Sequence, residues 1–505
     1  MAEIFKMKPL YLLIQGLNKR EINLVISYLK SQVTGTDSKL FLLFELLLNS
    51  KELPDANAIS MEFYQKEKDN ALEKLSSRLN SRILDVIISQ ANNEESKLEH
   101  FDLISISIRK KLTQFYQLYY SRGNYDLVSI NLLTEVISKA KKYELYSPLI
   151  EALQFDKLFR GFSKGFEEFN KVHEEIEFYN KCLAACYRAI DLYFQMTMFQ
   201  NFEANNNQKK LNDFLKSSIK ELKIAFKETG SAIVGYYLKQ LELSFFSNKE
   251  DFYSSRRICN ELVFLLEKSK SIFLKKRIAF ALANLAKCEV YLNEYDNAIK
   301  NSNEAQRYIH KNEINYILSK EVELHALFYN YQISDSKLLV ESILAINQLN
   351  ERDPFRFSKF LLYNAYILFK QKNYKEALKI LNQNLEISKD KLGWEIIIRV
   401  LKIWCLIELE DETTEMQIYA FRKHVKRHTP KEIGRRNIII VDFLYDLMKS
   451  KFDFNKCNAL ETIELLSSNQ KNVKWEHLTP ELIPFQDWIS QKISVIKLSR
   501  PLENA

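Results

Sequence analysis

The chain has 505 residues, of which 46% are hydrophobic and 27% charged, enough apolar material for a real core and enough length for two to four domains. A net charge of +8 is mild for this length and, unless clustered, does not imply nucleic-acid binding. Only nine glycines and eight prolines occur, too few for the tight turns of a large β or doubly wound domain, so long helices joined by short polar loops are expected.

Residues 1–97 read as an N-terminal helical domain. Asn18-Lys-Arg-Glu21 has the form of a capping box, followed by an apolar stripe at Ile22, Val25, Ile26 and Leu29. Leu40–Leu48 is apolar nearly all round and predicts a buried helix. A third helix is expected from about Met61 to Ser89, with Leu72, Leu75, Leu79, Ile83 and Val86 inward. The polar, acidic stretch Gln90–Lys97 reads as a linker.

Residues 98–470 repeat themselves. Leu282–Ala305 and Leu361–Asn384 each show a helix, a polar turn ending in Tyr295 or Tyr374, and a helix opening on Ala298 or Ala377. This pattern resembles the tetratricopeptide repeat. Its small and aromatic positions match Ala286, Tyr295, Ala298 and Ala305 in one copy and Ala365, Tyr374 and Ala377 in the other. The second copy departs at Asn384, opposite Ala305. Small residues let antiparallel helices approach closely, and the turn aromatic plugs the gap between repeats.

Anchoring on the small position extends the register through Ser255, Ala298, Leu338, Ala377, Met416 and Cys457, a period near 40 where the family has about 34. The Leu338 copy keeps Ala326 and Ala345, and the Met416 copy puts Trp404 where a small residue is expected. Tyr119–Tyr125 has the same turn ahead of an amphipathic helix from about Ser129 to Tyr143. Ser147-Pro148, Asp353-Pro354, Thr429-Pro430 and Thr479-Pro480 each place a capping residue before proline and predict helix starts. Thr429-Pro-Lys-Glu432 also forms a capping box. Residues 471–505 are expected to form a C-terminal capping helix and tail. The fold that the resemblance implies is all-α, a right-handed superhelical array of antiparallel helix pairs with an N-terminal helical domain.

No chemistry-bearing constellation emerges. The dispersed glycines form neither GxGxxG nor a Walker-A loop, and HExxH, GxSxG and paired CxxC motifs do not occur. No enzyme activity, cofactor or metal is therefore expected. Cys182, Cys186, Cys259, Cys288, Cys405 and Cys457 lie in helical, apolar patterns and read as reduced thiols. His424 and His428 are spaced for a shared metal but stand among Arg422, Lys423, Lys426, Arg427, Lys431, Arg435 and Arg436, which repel cations. That basic patch suits a charged turn better than an anionic partner, and the run Lys209, Lys210, Lys216, Lys220, Lys223 and Lys227 suits a solvated helix face.

The expected function is that of a protein- or peptide-binding scaffold or adaptor. In tetratricopeptide proteins the first helices of the repeats line the groove, which here implies Lys287, Tyr291, Tyr366, Phe369 and Lys370. The alternative is a ligand-responsive transcriptional regulator, in which Lys74, Arg78 and Arg82, four residues apart, face DNA from a helix-turn-helix. Nucleic acid is the weaker partner reading. No apolar run reaches the ~18–20 residues of a membrane span, and the N-terminus lacks a signal-peptide pattern, so a cytoplasmic location is expected.

Overall fold

A computed structural model describes residues 4–31, 37–66, 70–90, 100–122, 127–202, 208–311, 313–346, 348–428, 435–468, 470 and 473–499. Among them lie 24 α-helices, one short 3-10 helix and no strand. Two compact units divide inside one long helix, Met1–Tyr179 and Asn180–Ala505. No helix of the described residues is long and apolar enough to cross a membrane.

The first unit begins with five helices around one core: α1 (Ile4–Gln15), α2 (Lys19–Ser31), α3 (Asp37–Asn49), α4 (Ala56–Tyr64) and α5 (Asn70–Gln90). The capping box is formed, with Asn18 Oδ1 accepting from the Glu21 amide at 3.0 Å and Glu21 Oε2 accepting from the Asn18 amide at 2.8 Å. The single third helix of the sequence reading is two, α4 and α5. Buried Leu43, Phe44 and Leu47 confirm α3 as a core helix, although Leu42 is exposed. The expected linker runs beyond Gln90 into residues outside those described. Three further helices, α6 (His100–Arg122), α7 (Leu127–Lys142) and α8 (Tyr146–Lys164), pack in succession, and α9 (Phe166–Phe202) contains the division between the units. The Tyr125 turn lies outside the described residues. Ser147 does not cap a helix start: α8 begins one residue earlier, at Tyr146, with Leu145 in the cap position.

The second unit continues as helix pairs. After α10 (Gln208–Thr229) come α11 (Ala232–Ser247) with α12 (Phe252–Lys268), α13 (Lys275–Tyr291) with α14 (Tyr295–Gln306), and α15 (Ile314–Tyr329) with α16 (Ile333–Leu344). A one-turn α17 (Leu349–Arg352) precedes α18 (Pro354–Lys370) with α19 (Tyr374–Leu381), then α20 (Trp394–Glu408) with α21 (Thr414–His428), and α22 (Arg435–Lys449) with α23 (Ala459–Leu466). The chain ends on α24 (Phe485–Ser499). From α10 onward each helix packs on its successor, except that α16 packs on α18 past the one-turn α17, and α13 with α15 and α18 with α20 adjoin as first helices of neighbouring pairs.

One turn recurs and explains the repeat. Glu250, Asn293, Tyr331, Lys372 and Glu410 all adopt the left-handed conformation, with φ between 52° and 62°. The amide after each reaches back five residues, to the carbonyls of Phe246, Glu289, Leu327, Leu368 and Leu406 at 2.9–3.1 Å, satisfying helix-end carbonyls as in a Schellman cap. The chain makes these caps without glycine, which is how so glycine-poor a sequence turns so often. Five residues after the first four of these come Ser255, Ala298, Ser336 and Ala377, each fully buried where the second helix crosses the first. The register is therefore corrected at three places. Leu338 and Met416 are 64% and 61% exposed, and buried Ser336 and Thr414 stand in their place. Cys457 lies half-buried ahead of α23, whose buried small residue is Ala459.

Asp353 caps α18 as its sequence predicts, accepting from the Arg356 amide at 3.0 Å, with Pro354 in the first turn. Thr429–Glu432 falls outside the described residues. Thr479-Pro480 does not start a helix: residues 474–484 are irregular, and α24 opens at Phe485. The six cysteines are buried except for half-buried Cys457. The lysine run Lys209–Lys227 is exposed along α10.

Candidate functional site: the face lined by the first helices

The row of first helices α13, α15, α18, α20 and α22 meets the C-terminal stretch of the same chain. Its anchor is an ion pair. Arg436 of α22 donates Nε to Glu481 Oε2 at 3.0 Å and Nη2 to Glu481 Oε1 at 2.7 Å, and gives Nη1 to the Val473 carbonyl at 2.8 Å. Glu481 Oε1 also accepts from the Phe485 amide at 2.7 Å. Both side chains are nearly buried, so the fork-on-fork geometry and the extra donors are what offset the desolvation of two charges.

From this anchor α24 runs over α18 and α20. Trp488 stacks on Trp404 with ring centroids 4.9 Å apart and an 18° interplanar angle, and its indole N–H donates to Glu408 at 3.2 Å. Trp404, which replaces the small residue of other repeats, is thus the platform for α24. Lys492 also pairs with Glu408 at 2.7 Å.

On the other side of the anchor, residues 474–480 form an arm that is half-buried apart from the exposed Lys474. Trp475 meets Tyr329 edge-on at 5.7 Å and donates Nε1 to the Glu481 carbonyl at 2.8 Å. His477 sits among Tyr291, Tyr295 and Tyr329, with ring centroids at 5.9, 6.4 and 5.2 Å. Burial and nearby Lys474 push its imidazole down to about 4, so it is neutral at pH 7. Leu478 packs against the cluster of Ala286, Val290, Ala298 and Ala326. The alanines that let the helices cross closely also make the shallow apolar floor on which this leucine rests. Lys474 reaches Glu250 at 3.8 Å.

Beneath the arm lies a buried polar network. Lys359 pairs with Glu321 at 2.6 Å, and the Tyr363 hydroxyl donates to the same carboxylate at 2.6 Å. Burial opposes ionisation of Glu321, yet Lys359 and this hydrogen bond hold it below the usual carboxylate range. His325, fully buried, contacts the Tyr329 hydroxyl through Nδ1 at 3.1 Å, and burial lowers its pKa to about 4. Among the described residues its Nε2 finds no hydrogen-bond partner.

Two cavities flank the arm. One, of about 390 Å³, lies among Glu250, Phe252, Lys287, Tyr291, Trp475 and His477. The other, of about 360 Å³, is bounded by Phe280, Ala283, Leu318, Val322, His325 and Leu478.

The residues expected to line a groove occupy this face in different ways. Lys287 is exposed at the rim of both cavities. Tyr291 is half-buried, stacked on Phe252 with ring centroids at 3.9 Å and a 4° angle. Tyr366 is fully buried and Phe369 nearly so, packed between Tyr374 and Trp404, and neither offers a ring to an incoming chain. Lys370 is half-buried, its pKa lowered by burial, within electrostatic reach of Asp487 on α24. Sequence reading missed Trp475, His477, Leu478 and Glu481. Their only signal was Trp475, one of the four tryptophans, in a stretch without helical period.

The basic patch is divided. Arg422 lies over the Tyr445 ring at 3.7 Å, and Arg436 is spent on Glu481. Lys423, Lys426, Arg427 and Arg435 are exposed, and Lys431 lies outside the described residues. His424 donates Nε2–H to the Lys391 carbonyl at 3.0 Å, with His428 4.7 Å away centroid to centroid. In the first unit Lys74 and Arg78 are exposed on α5, whereas Arg82 is half-buried and donates to the Tyr28 hydroxyl at 2.8 Å.

No protein-family model matches the sequence, and no curated protein matches it. Among solved structures, a Signal Transduction ATPase with Numerous Domains (STAND) protein with a tetratricopeptide repeat sensor, from Pyrococcus horikoshii, is similar over 87% of this chain and 66% of its own, at 11% identity and a TM-score of 0.44. This chain thus spans just under two thirds of that protein's length.

Proposed function

We propose that the protein is a non-catalytic helical-repeat adaptor of the tetratricopeptide type that holds a segment of another protein against its first helices. The observation that carries this reading is the arm. The face over α13 and α15 already accommodates an irregular polypeptide, through an edge-on tryptophan, a histidine among three tyrosines and a leucine on an alanine floor. A surface that takes one irregular segment by side-chain contacts has the properties needed to take another.

The test is binding in trans. A fluorescein-labelled peptide of the sequence Lys474–Glu481 is titrated with the full chain carrying Trp475→Ala and Leu478→Asp, which loosen the arm. Saturable binding is expected, and a partner recovered with the intact protein should be released by excess peptide. No saturable binding to the loosened chain would remove the basis of the proposal. The regulator reading requires Lys74, Arg78 and Arg82 together on an exposed face, and the Arg82–Tyr28 hydrogen bond weighs against it.

A further inference from the structure

The arm fits its seat incompletely, in three respects. Leu478 adopts a left-handed backbone with φ of 60°, a conformation unfavourable for an L side chain. Beside Leu478 remains the cavity of about 360 Å³, walled chiefly by Phe280, Ala283, Leu318 and Val322. Its wall also contains His325, whose buried Nε2 finds no partner among the described residues.

His325 Nδ1 lies 3.1 Å from the Tyr329 hydroxyl, which can donate or accept. The other ring nitrogen, Nε2, therefore needs an acceptor in one tautomer and a donor in the other, and a hydroxyl group supplies both.

An intramolecular arm enjoys an effective concentration on the order of mM. A partner that only copied its contacts would lose at micromolar concentration by roughly a thousandfold, about 4 kcal/mol. A successful partner must gain where the arm falls short. We infer that the cavity beside Leu478 is a docking slot for a protein segment that displaces residues 474–480, placing one aromatic ring at the Trp475 position and, three residues on, a tyrosine in place of Leu478. The tyrosine ring fills apolar volume that leucine leaves empty, and its hydroxyl, able to donate or accept, partners His325 Nε2. A polypeptide is the occupant because the cavity continues the seat of one: Leu478 belongs to both.

The inference rests on the polypeptide-binding reading above, and one titration separates the two. The labelled Lys474–Glu481 peptide is compared with the same peptide carrying Leu478→Tyr, against the full chain with the loosened arm and against that chain with Phe280→Glu added. Phe280 is 48% exposed, so its replacement spares the core. The Leu478→Tyr peptide is expected to bind at least tenfold more tightly than the native peptide, and Phe280→Glu should abolish that gain. Equal binding of both peptides, or a gain that survives Phe280→Glu, overturns the slot while leaving polypeptide binding intact. If neither peptide binds, both the slot and the adaptor reading fall.

Discussion

Over α18, α20 and α22 the inner face is sealed: Tyr366 and Trp404 are buried, and Phe485 and Trp488 of α24 are buried against Trp404. Over α13 and α15 the same face is covered only by a half-buried, irregular arm with a cavity on either side. Successive repeats of one architecture thus carry one closed stretch and one open one. The difference comes from side-chain size. Where Trp404 stands in the first helix, it builds a platform that a helix can cover; where Ala286 and Ala326 stand, the floor is shallow and holds a single leucine. Capacity for an outside ligand belongs to the alanine floor.

The sharpest break of this comparison is a pair of tryptophan truncations. Trp488→Ala should cost about 3–5 kcal/mol in urea unfolding, as for other buried large-to-small changes, whereas Trp475→Ala should cost about 1 kcal/mol or less. Equal losses would mean that the arm is core and that the two regions do not differ. Ala298→Leu and Ala377→Leu should each cost roughly 1–3 kcal/mol by overpacking the crossings, while Leu338→Ala and Met416→Ala stay within about 0.5 kcal/mol. A large effect at Leu338 or Met416 would restore the register read from spacing.

Acid distinguishes the regions more gently. His325 and His477 have pKa values lowered to about 4 from an ordinary 6.5, so the unfolded chain takes up protons before the folded one. Stability is full above pH 6.5 and falls as the pH drops towards 4. His477→Gln should flatten part of that decline in melts recorded between pH 7 and 4.5. An unchanged slope would place His477 outside the arm's packing. The smallest effect has the opposite sign: Lys372→Gly and Glu410→Gly relieve left-handed backbone at exposed caps and should raise stability by roughly 0.5–1 kcal/mol.

Features encoded locally were legible in the sequence. The helical class, the Asn18 capping box, the Asp353-Pro354 start and the buried alanines each depend on neighbours within a few residues. The arm was not legible, because its contacts join positions such as Tyr295 and His477, 182 residues apart, and no periodicity announces them. Thr479-Pro480 has the local form of a helix start, but the chain there is committed to Arg436 and to the alanine floor. The register slipped at Leu338 and Met416 because the turns are set by left-handed residues of ordinary type, which spacing alone does not reveal. Of the expected groove residues, Tyr366 and Phe369 were placed on the proper helix, but they are buried in a core that gathers residues from Ile317 to Ile489, far apart in sequence.

In hydrogen exchange of the intact chain, local opening and global unfolding separate by their protection. The amides of residues 474–480 should exchange by local opening, orders of magnitude faster than those of α24 around Trp488 and Ile489, and a bound partner should change protection over α13 and α15. Arm amides protected as strongly as α24, with exchange only on global unfolding, would contradict the contrast between the open and sealed regions.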